Sequence, residues 1–300
     1  MTDKSNTLRA TSIGAIAIAL WATLALFTSA TGQVPPFQLM AMTFTVAFLL
    51  ALCRWIFLAL RQGSDAFAFL RQPWPVWAIG IGGLYGYHFF YFIALRHAPP
   101  VDASLIAYLW PLLIVLFSAL LPGERLYWQH IAGAAIGLAG AATLIIARHT
   151  GTGPQVPGDT IGYLAALACA FTWSIYSVLS RRFGTAPTDC VGAFCGVTAV
   201  LGFVSHLAFE PTLWPADSGQ WAAVVALGLG PVGLAFFVWD YGVKHGDIKA
   251  LGALSYTAPL LSTLLLILSG RAEASFTIGI ACVLIVGGAV LAARDLYMKR

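Results

Sequence analysis

The sequence predicts an all-α integral membrane protein: ten transmembrane helices, arranged as two inverted five-helix repeats around a central cavity. Three observations carry this reading. Of the 300 residues, 59% are hydrophobic and only 9% are charged, and the mean hydropathy is +0.83; a soluble domain carries about 25% charged residues. Apolar runs close to the roughly 20 residues that cross a bilayer recur from end to end. The second half of the chain repeats the first at an offset of 148 residues. Helices follow because lipid offers backbone N–H and C=O groups no partner, so each span must satisfy its own.

The spans fall roughly at 10–30, 37–60, 73–95, 100–121, 127–147, 159–180, 187–208, 219–245, 248–269 and 274–293. In the first, Lys4 and Arg9 precede an apolar run, and "TSA" at 28–30 resembles a signal-peptidase site. The run of about 18 residues is long for a signal-peptide core, so the span is read as retained. The next three open behind the breakers "TGQVPPF", "RQPWP" and "HAPP", and "LPGE" closes the fourth. Pro111 sits inside the fourth span and Pro259 inside the ninth, where each is expected to kink its helix. "TGTGPQVPGD" separates the fifth and sixth spans, "EPTLWPADSG" the seventh and eighth, and "HGD" the eighth and ninth. Residues 1–147 then form the first repeat, 148–158 a linker, and 159–300 the second, inverted repeat.

The offset aligns "RHAPPVDASLIAYLWPLL" (96–113) with "KHGDIKALGALSYTAPLL" (244–261). Arg96 falls on Lys244, His97 on His245, Tyr108 on Tyr256 and Pro111 on Pro259; Gly14 falls on Gly162 and Tyr91 on Trp239. Five spans per copy is an odd number, so the second copy must run inverted. The cations agree. With the N-terminus in the cytoplasm, thirteen Lys and Arg fall on inner segments and three, Arg96, Arg148 and Arg271, on outer ones, which orients both termini to the cytoplasm. An in-plane two-fold axis makes the two faces near equivalents, so a midplane site between the repeats can open to either side. That is the logic of a transporter.

"ASLIAYLWPLLIVLFSALLPGERLYWQHIAGAAIGLAG" (103–140) and "GYLAALACAFTWSIYSVLSRR" (162–182) resemble the drug/metabolite transporter superfamily, in its ten-helix exporter branch. Within that branch "YHFFY" (87–91), "AYLWP" (107–111) and "FTWSIY" (171–176) resemble the aromatic amino acid exporters of bacterial inner membranes. The resemblance implies a ten-helix basket in the inner membrane that exports aromatic amino acids and related small flat solutes. One departure stands out: "GER" follows the fourth span, whereas the second half has "SGRAEASF" with Glu273 displaced.

The candidate site residues are in-span aromatics and one histidine. Tyr87, His88 and Tyr91 share a helical face through spacings of three and four. A rise of 1.5 Å per residue puts His88 about 6 Å from the centre of its span, inside a hydrocarbon core of about 30 Å. An ionisable side chain there faces a wet cavity or pairs between helices. Tyr108 and Tyr256, each just ahead of its proline, sit at matched depths; their alternative is an interhelical hydrogen bond at the kink. Trp110, Trp173 and Trp239 lie within spans, where an indole N–H needs a partner or water. Trp173 and Tyr176 share a face at a spacing of three. Trp21 also lies within a span, with plain helix packing as its rival reading. Trp55, Trp74, Trp77, Trp128, Trp214 and Trp221 fall near span ends, where interfacial belts form.

Other chemistry finds little footing. Asp240 and Lys244, four apart, read as a helix-end ion pair, with Asp240 as a proton site the alternative. No chain of intramembrane carboxylates is present, which favours facilitated export over proton coupling. The five cysteines form no CxxC pair and read as buried, inert thiols. No metal or cofactor motif appears, no enzyme activity is expected, and a net charge of +4 gives a nucleic acid no foothold. The expected partners are a small-molecule substrate and the lipid bilayer, with the chain a monomer. Rival functions are export of other metabolites or cationic drugs, nucleotide-sugar transport, and a membrane receptor or scaffold. Phosphorylated substrates would want deep cations and cationic drugs a deep acid, and the short loops leave a scaffold little surface.

Overall fold

Prolines and turn residues decide where the helices stop. A computed structural model describes residues 4–148, 160–268, 275–292 and 294. It contains fourteen α-helices: α1 (Lys4–Ala22), α2 (Leu24–Ser29), α3 (Pro36–Gln62), α4 (Trp74–His97), α5 (Pro100–Ala107), α6 (Trp110–Ser118), α7 (Trp128–Arg148), α8 (Thr160–Arg182), α9 (Cys190–Phe209), α10 (Ser218–Leu229), α11 (Ala235–His245), α12 (Ile248–Leu254), α13 (Thr257–Leu268) and α14 (Phe276–Ala292). A 3-10 segment, Gly63–Leu70, follows α3, and a π turn, Gly230–Leu234, joins α10 to α11. Among the described residues seven stretches are long and apolar enough to cross a membrane: Lys4–Ser29, Pro36–Arg61, Trp74–His97, Thr160–Arg182, Cys190–Phe209, Ser218–His245 and Ile248–Leu265. Asp102–Ser118 and Phe276–Ala292 are shorter apolar helices. No strand occurs among the described residues. The expected linker from 149 to 158, Arg271 and Glu273 lie outside the described residues.

The expected proline breaks are present. α5 gives way to α6 at Tyr108–Leu109, just before Pro111, and α12 gives way to α13 at Ser255–Tyr256, just before Pro259. Proline lacks the N–H that would bond four residues back, and its ring clashes with that carbonyl. Pro231 lies in the π turn, whose widened backbone frees the Pro231 carbonyl to accept the Trp21 indole N–H at 3.1 Å.

Packing between the halves is reciprocal. Under the 148-residue offset α1 corresponds to α8 and α4 to α11; α1 packs on α11, and α8 packs on α4. α3 packs on α9, and α7 on α14. Small residues let the backbones close up, as membrane helices require. A Cβ on Gly14 would meet the Gly242 Cα at 2.9 Å, and one on its counterpart Gly162 would meet the His97 carbonyl carbon at 2.5 Å. The main core lies at the middle of these contacts, and a second core sits between α7, α14 and the α12–α13 break.

Two expectations need correcting. Trp55 is not an interfacial residue: it is 4% exposed, because the 3-10 segment folds Phe69 against its ring at 5.0 Å. Trp77 is likewise partly buried, edge-on to Phe194 at 5.5 Å. Trp74, Trp128, Trp214 and Trp221 are exposed as expected. Cys53 is exposed and Cys282 half-buried, whereas Cys169, Cys190 and Cys195 are buried.

Candidate functional site

Four tryptophans from four helices meet at the centre. Trp21 on α1 lies 5.1 Å from Trp239 on α11, 5.6 Å from Trp173 on α8 and 6.2 Å from Trp110 on α6, as ring centroids. Trp173 stacks on Trp239 at 6.2 Å, and Trp110 stands edge-on to both. Two polar side chains at this floor are tied down. The Trp239 indole donates to the Ser177 hydroxyl at 3.1 Å, and the Ser174 hydroxyl donates to the Trp110 carbonyl at 2.9 Å. Trp110 is held in position because the break before Pro111 turns α6 and Ser174 pins its first residue.

Above the floor lie the residues of one α4 face. Tyr87 is 5.4 Å from Trp173 and stacks on Tyr91 at 6.2 Å. His88 stands edge-on to Phe44 at 5.1 Å and to Tyr87 at 5.3 Å. Phe236 joins His88, Phe44 and Trp173. Tyr87, His88 and Tyr91 remain half-buried although deep in their span, whereas Trp110, Trp173, Tyr176 and Trp239 are buried. The arrangement is an indole floor, buried at Trp110, Trp173 and Trp239 and half-buried at Trp21, with half-buried aromatic rings over it. The His88 Nδ1 lies 2.7 Å from the Leu84 carbonyl. A carbonyl only accepts, so Nδ1 carries the proton, and in the neutral ring Nε2 is left as an acceptor.

Tyr108 and Tyr256 meet elsewhere. Tyr256 is fully buried in the second core, and Tyr108 packs against the same cluster. The Tyr256 hydroxyl accepts the Leu112 N–H at 3.0 Å. Leu112 is the third residue of α6, one of the donors that a helix start leaves without an intrahelical partner. Tyr256 therefore caps the break in the opposite half, which is the interhelical bond the sequence offered as its alternative role. Trp173 and Tyr176, three apart, are in ring contact at 5.1 Å as expected.

Three participants were not singled out from the sequence. Trp21, for which helix packing is the rival reading, touches every other tryptophan of the floor. Phe44 and Phe236 stack on each other at 5.6 Å; the signal for Phe236 was its spacing of three from Trp239. Both ends of the molecule also carry ionic bridges between the halves. At one end Glu124 receives Arg181 at 2.7 Å and Lys249 at 2.6 Å, and Arg181 reaches the Val243 and Gly246 carbonyls. Burial alone would raise the Glu124 carboxyl, but Lys249 and Arg181 outweigh it and hold it below its ordinary value. At the other end the buried Glu210 carboxylate accepts Arg96 at 3.0 Å and the Phe37 and Gln38 N–H groups at the start of α3, and it lies 3.2 Å from His206. The Asp240–Lys244 pair forms at 2.7 Å. Among the described residues no His, Cys, Asp and Glu group is arranged to hold a metal.

The chain is similar to known proteins over most of its length. The EamA-like transporter family matches this chain twice, over residues 9–146 and 160–294. The aromatic amino acid exporter YddG of Ancylobacter novellus is 58% identical over 283 residues, covering 94% of this chain and 96% of that one. The aromatic amino acid exporter YddG of Escherichia coli K12 is 25% identical, covering 94% and 96%. A crystal structure 56% identical in sequence has a TM-score of 0.86, covering 96% of this chain and 98% of that chain. With both halves matched and the apolar helices in place, this chain belongs to the EamA-like transporter family of multi-pass membrane proteins.

Proposed function

We propose that this chain exports aromatic amino acids and related flat solutes across a bacterial inner membrane, by alternating access between two inverted five-helix repeats with both termini cytoplasmic. One observation carries the reading: an indole floor of Trp21, Trp110, Trp173 and Trp239, built by both halves and overlaid by partly accessible Tyr87, His88 and Tyr91. Offset or edge contacts between rings contribute about 0.5–1.5 kcal/mol each beyond area burial, so three or four walls suit an indole, phenol or phenyl ring. The Nε2 of His88 suits the substrate's ammonium group. The twice-matching family, the reciprocal packing of α1 on α11 and α8 on α4, and the names of the relatives as aromatic amino acid exporters support the rest. Cationic drugs fit less well, because the deep acid Asp240 is already paired with Lys244. Cells that express the protein and are loaded with labelled Phe, Tyr or Trp should release label faster than cells without it. Equal release would contradict the proposal.

A further inference from the structure

Of the four floor tryptophans, Trp239 is the one sealed completely, at 0% exposure. Its ring nevertheless meets the other three, at 5.1 Å from Trp21, 5.9 Å from Trp110 and 6.2 Å from Trp173. A ring sealed on all sides acts on a substrate only through the rings that rest on it. Its one polar atom is therefore of interest. The indole N–H donates to the Ser177 hydroxyl at 3.1 Å. Ser177 is itself fully buried and stands four residues after Trp173 on α8, so the two share a helical face. One helix thus supplies both the Trp173 ring and the acceptor for the ring stacked on it, with the two planes 27° apart. An indole N–H lies in the ring plane and only donates. With Cβ held by α11 and the N–H held by α8, two points of the Trp239 ring are pinned and its tilt is set. The neighbouring hydroxyl of Ser174 holds the main-chain carbonyl of Trp110 rather than a ring, and the Trp21 N–H is held by the main-chain carbonyl of Pro231. Ser177 is thus the side chain that fixes a floor ring by hydrogen bond among the described residues. Tilt matters selectively. Burial of an aliphatic side chain is non-directional, whereas edge and offset contacts between rings depend on the angle at which they meet.

We infer that Ser177 is a positioning residue that sets the substrate specificity of the floor. Its hydroxyl touches no substrate; it orients Trp239 and, through that ring, Trp173 and Trp21, so that a flat ring is preferred to a branched aliphatic side chain. This inference rests on the proposed transport function and adds to it the residue that separates aromatic from aliphatic amino acids. Without the hydroxyl the Trp239 N–H is stranded in an apolar interior, and the ring turns towards any other acceptor it can reach. The rings resting on it then tilt, and an aromatic substrate loses contacts that an aliphatic one never made.

The test measures counterflow of tryptophan and of leucine by full-length protein in liposomes, and the ratio of the two rates is the readout. Ser177→Ala should lower the ratio about fivefold, the equivalent of one ring contact, chiefly by slowing tryptophan. Ser205→Ala is the matched control. Ser205 is a buried serine on α9, outside the floor, whose hydroxyl lies 2.8 Å from that of Tyr85. Its loss should lower the thermal midpoint and leave the ratio unchanged. A second comparison sets Trp239→Phe against the double variant Ser177→Ala/Trp239→Phe. Neither strands an indole N–H, so both should fold even where Ser177→Ala does not. With no N–H left to orient, the two should share one ratio. A folded Ser177→Ala with the wild-type ratio overturns the inference and leaves Ser177 a stability residue. A double variant whose ratio differs from that of Trp239→Phe overturns it too. An equal fall of the ratio in Ser205→Ala does the same, because general loosening then accounts for the effect. Wild type that carries leucine as well as tryptophan would instead contradict the proposed function, before any variant is read.

Discussion

His88 Nδ1 is committed to the Leu84 carbonyl one turn back, and only Nε2 faces the rings of Phe44, Tyr87 and Phe236. A single acceptor in an aromatic wall orients an ammonium group without filling space. His88→Gln keeps an acceptor and a donor; His88→Phe keeps the bulk and loses both. Transport of tryptophan should fall about tenfold or more in His88→Phe and only a few-fold in His88→Gln, with normal insertion of both, since a hydrogen bond to a charged group contributes about 1.5–3 kcal/mol. Equal, wild-type rates in the two would make His88 a packing histidine. Tyr256 predicts the reverse pattern. Tyr256→Phe strips the cap from the Leu112 N–H and should destabilise the protein by about 1–3 kcal/mol, read as a lower thermal midpoint in detergent, with tryptophan affinity unchanged. The two tyrosines that the sequence matched by depth thus divide from the central floor in a way depth alone does not reveal. Depth follows from helical rise, whereas which face of a kinked helix meets which neighbour depends on contacts far along the chain.

Helix pairs hold together through glycine. On α14 two adjacent glycines have opposite surroundings: a Cβ on Gly288 would meet the Gly133 carbonyl at 2.5 Å, whereas one on Gly287 would meet nothing within 4 Å. Gly288→Ala should therefore separate α7 from α14 and cost about 1–3 kcal/mol through overpacking, while Gly287→Ala should leave the thermal midpoint unchanged or slightly raised. Indistinguishable midpoints would contradict the packing of α7 on α14. The helices and their proline breaks were readable because they depend on local terms, namely length, hydropathy and the missing proline N–H. So were the Trp173–Tyr176 contact and the Asp240–Lys244 pair, which follow from spacings of three and four on one helix. The burial of Trp55 was not readable, because it depends on a 3-10 segment folding back over the end of α3. Trp21, Phe44 and Phe236 join the central aromatic cluster only when α1, α3 and α11 are brought together.

Across the whole molecule the two ends are bridged by different chemistry. Glu124 of the first half holds Arg181 and Lys249 of the second, partners 57 and 125 residues away. Glu210 of the second half holds Arg96 and the start of α3. Alternating access requires each bridge to part in turn, so each must be strong enough to close a face and weak enough to open. The Glu124 carboxyl is held below its ordinary value of 4.5 by its two cations. Its contribution is accordingly complete above that value and is lost as pH falls through the lowered one. Glu124→Gln should be less stable than wild type by about 1 kcal/mol at pH 7, and the gap should close as pH falls below 4.5 towards the lowered value. A gap that never narrows as pH is lowered below 4.5, measured by thermal unfolding in detergent, would rule out a charge-based latch.

The central claim is that the indole floor carries aromatic amino acids, and counterflow tests it most directly. Purified protein is reconstituted into liposomes loaded with unlabelled tryptophan and diluted into a trace of labelled tryptophan. The account predicts transient accumulation of label above protein-free liposomes, competed by phenylalanine and tyrosine but not by lysine or glutamate. It also predicts that accumulation is lost in folded Trp173→Ala, whose ring contacts five other aromatic residues of the cluster and Tyr176. No accumulation with folded wild-type protein, or full accumulation with folded Trp173→Ala, would contradict it.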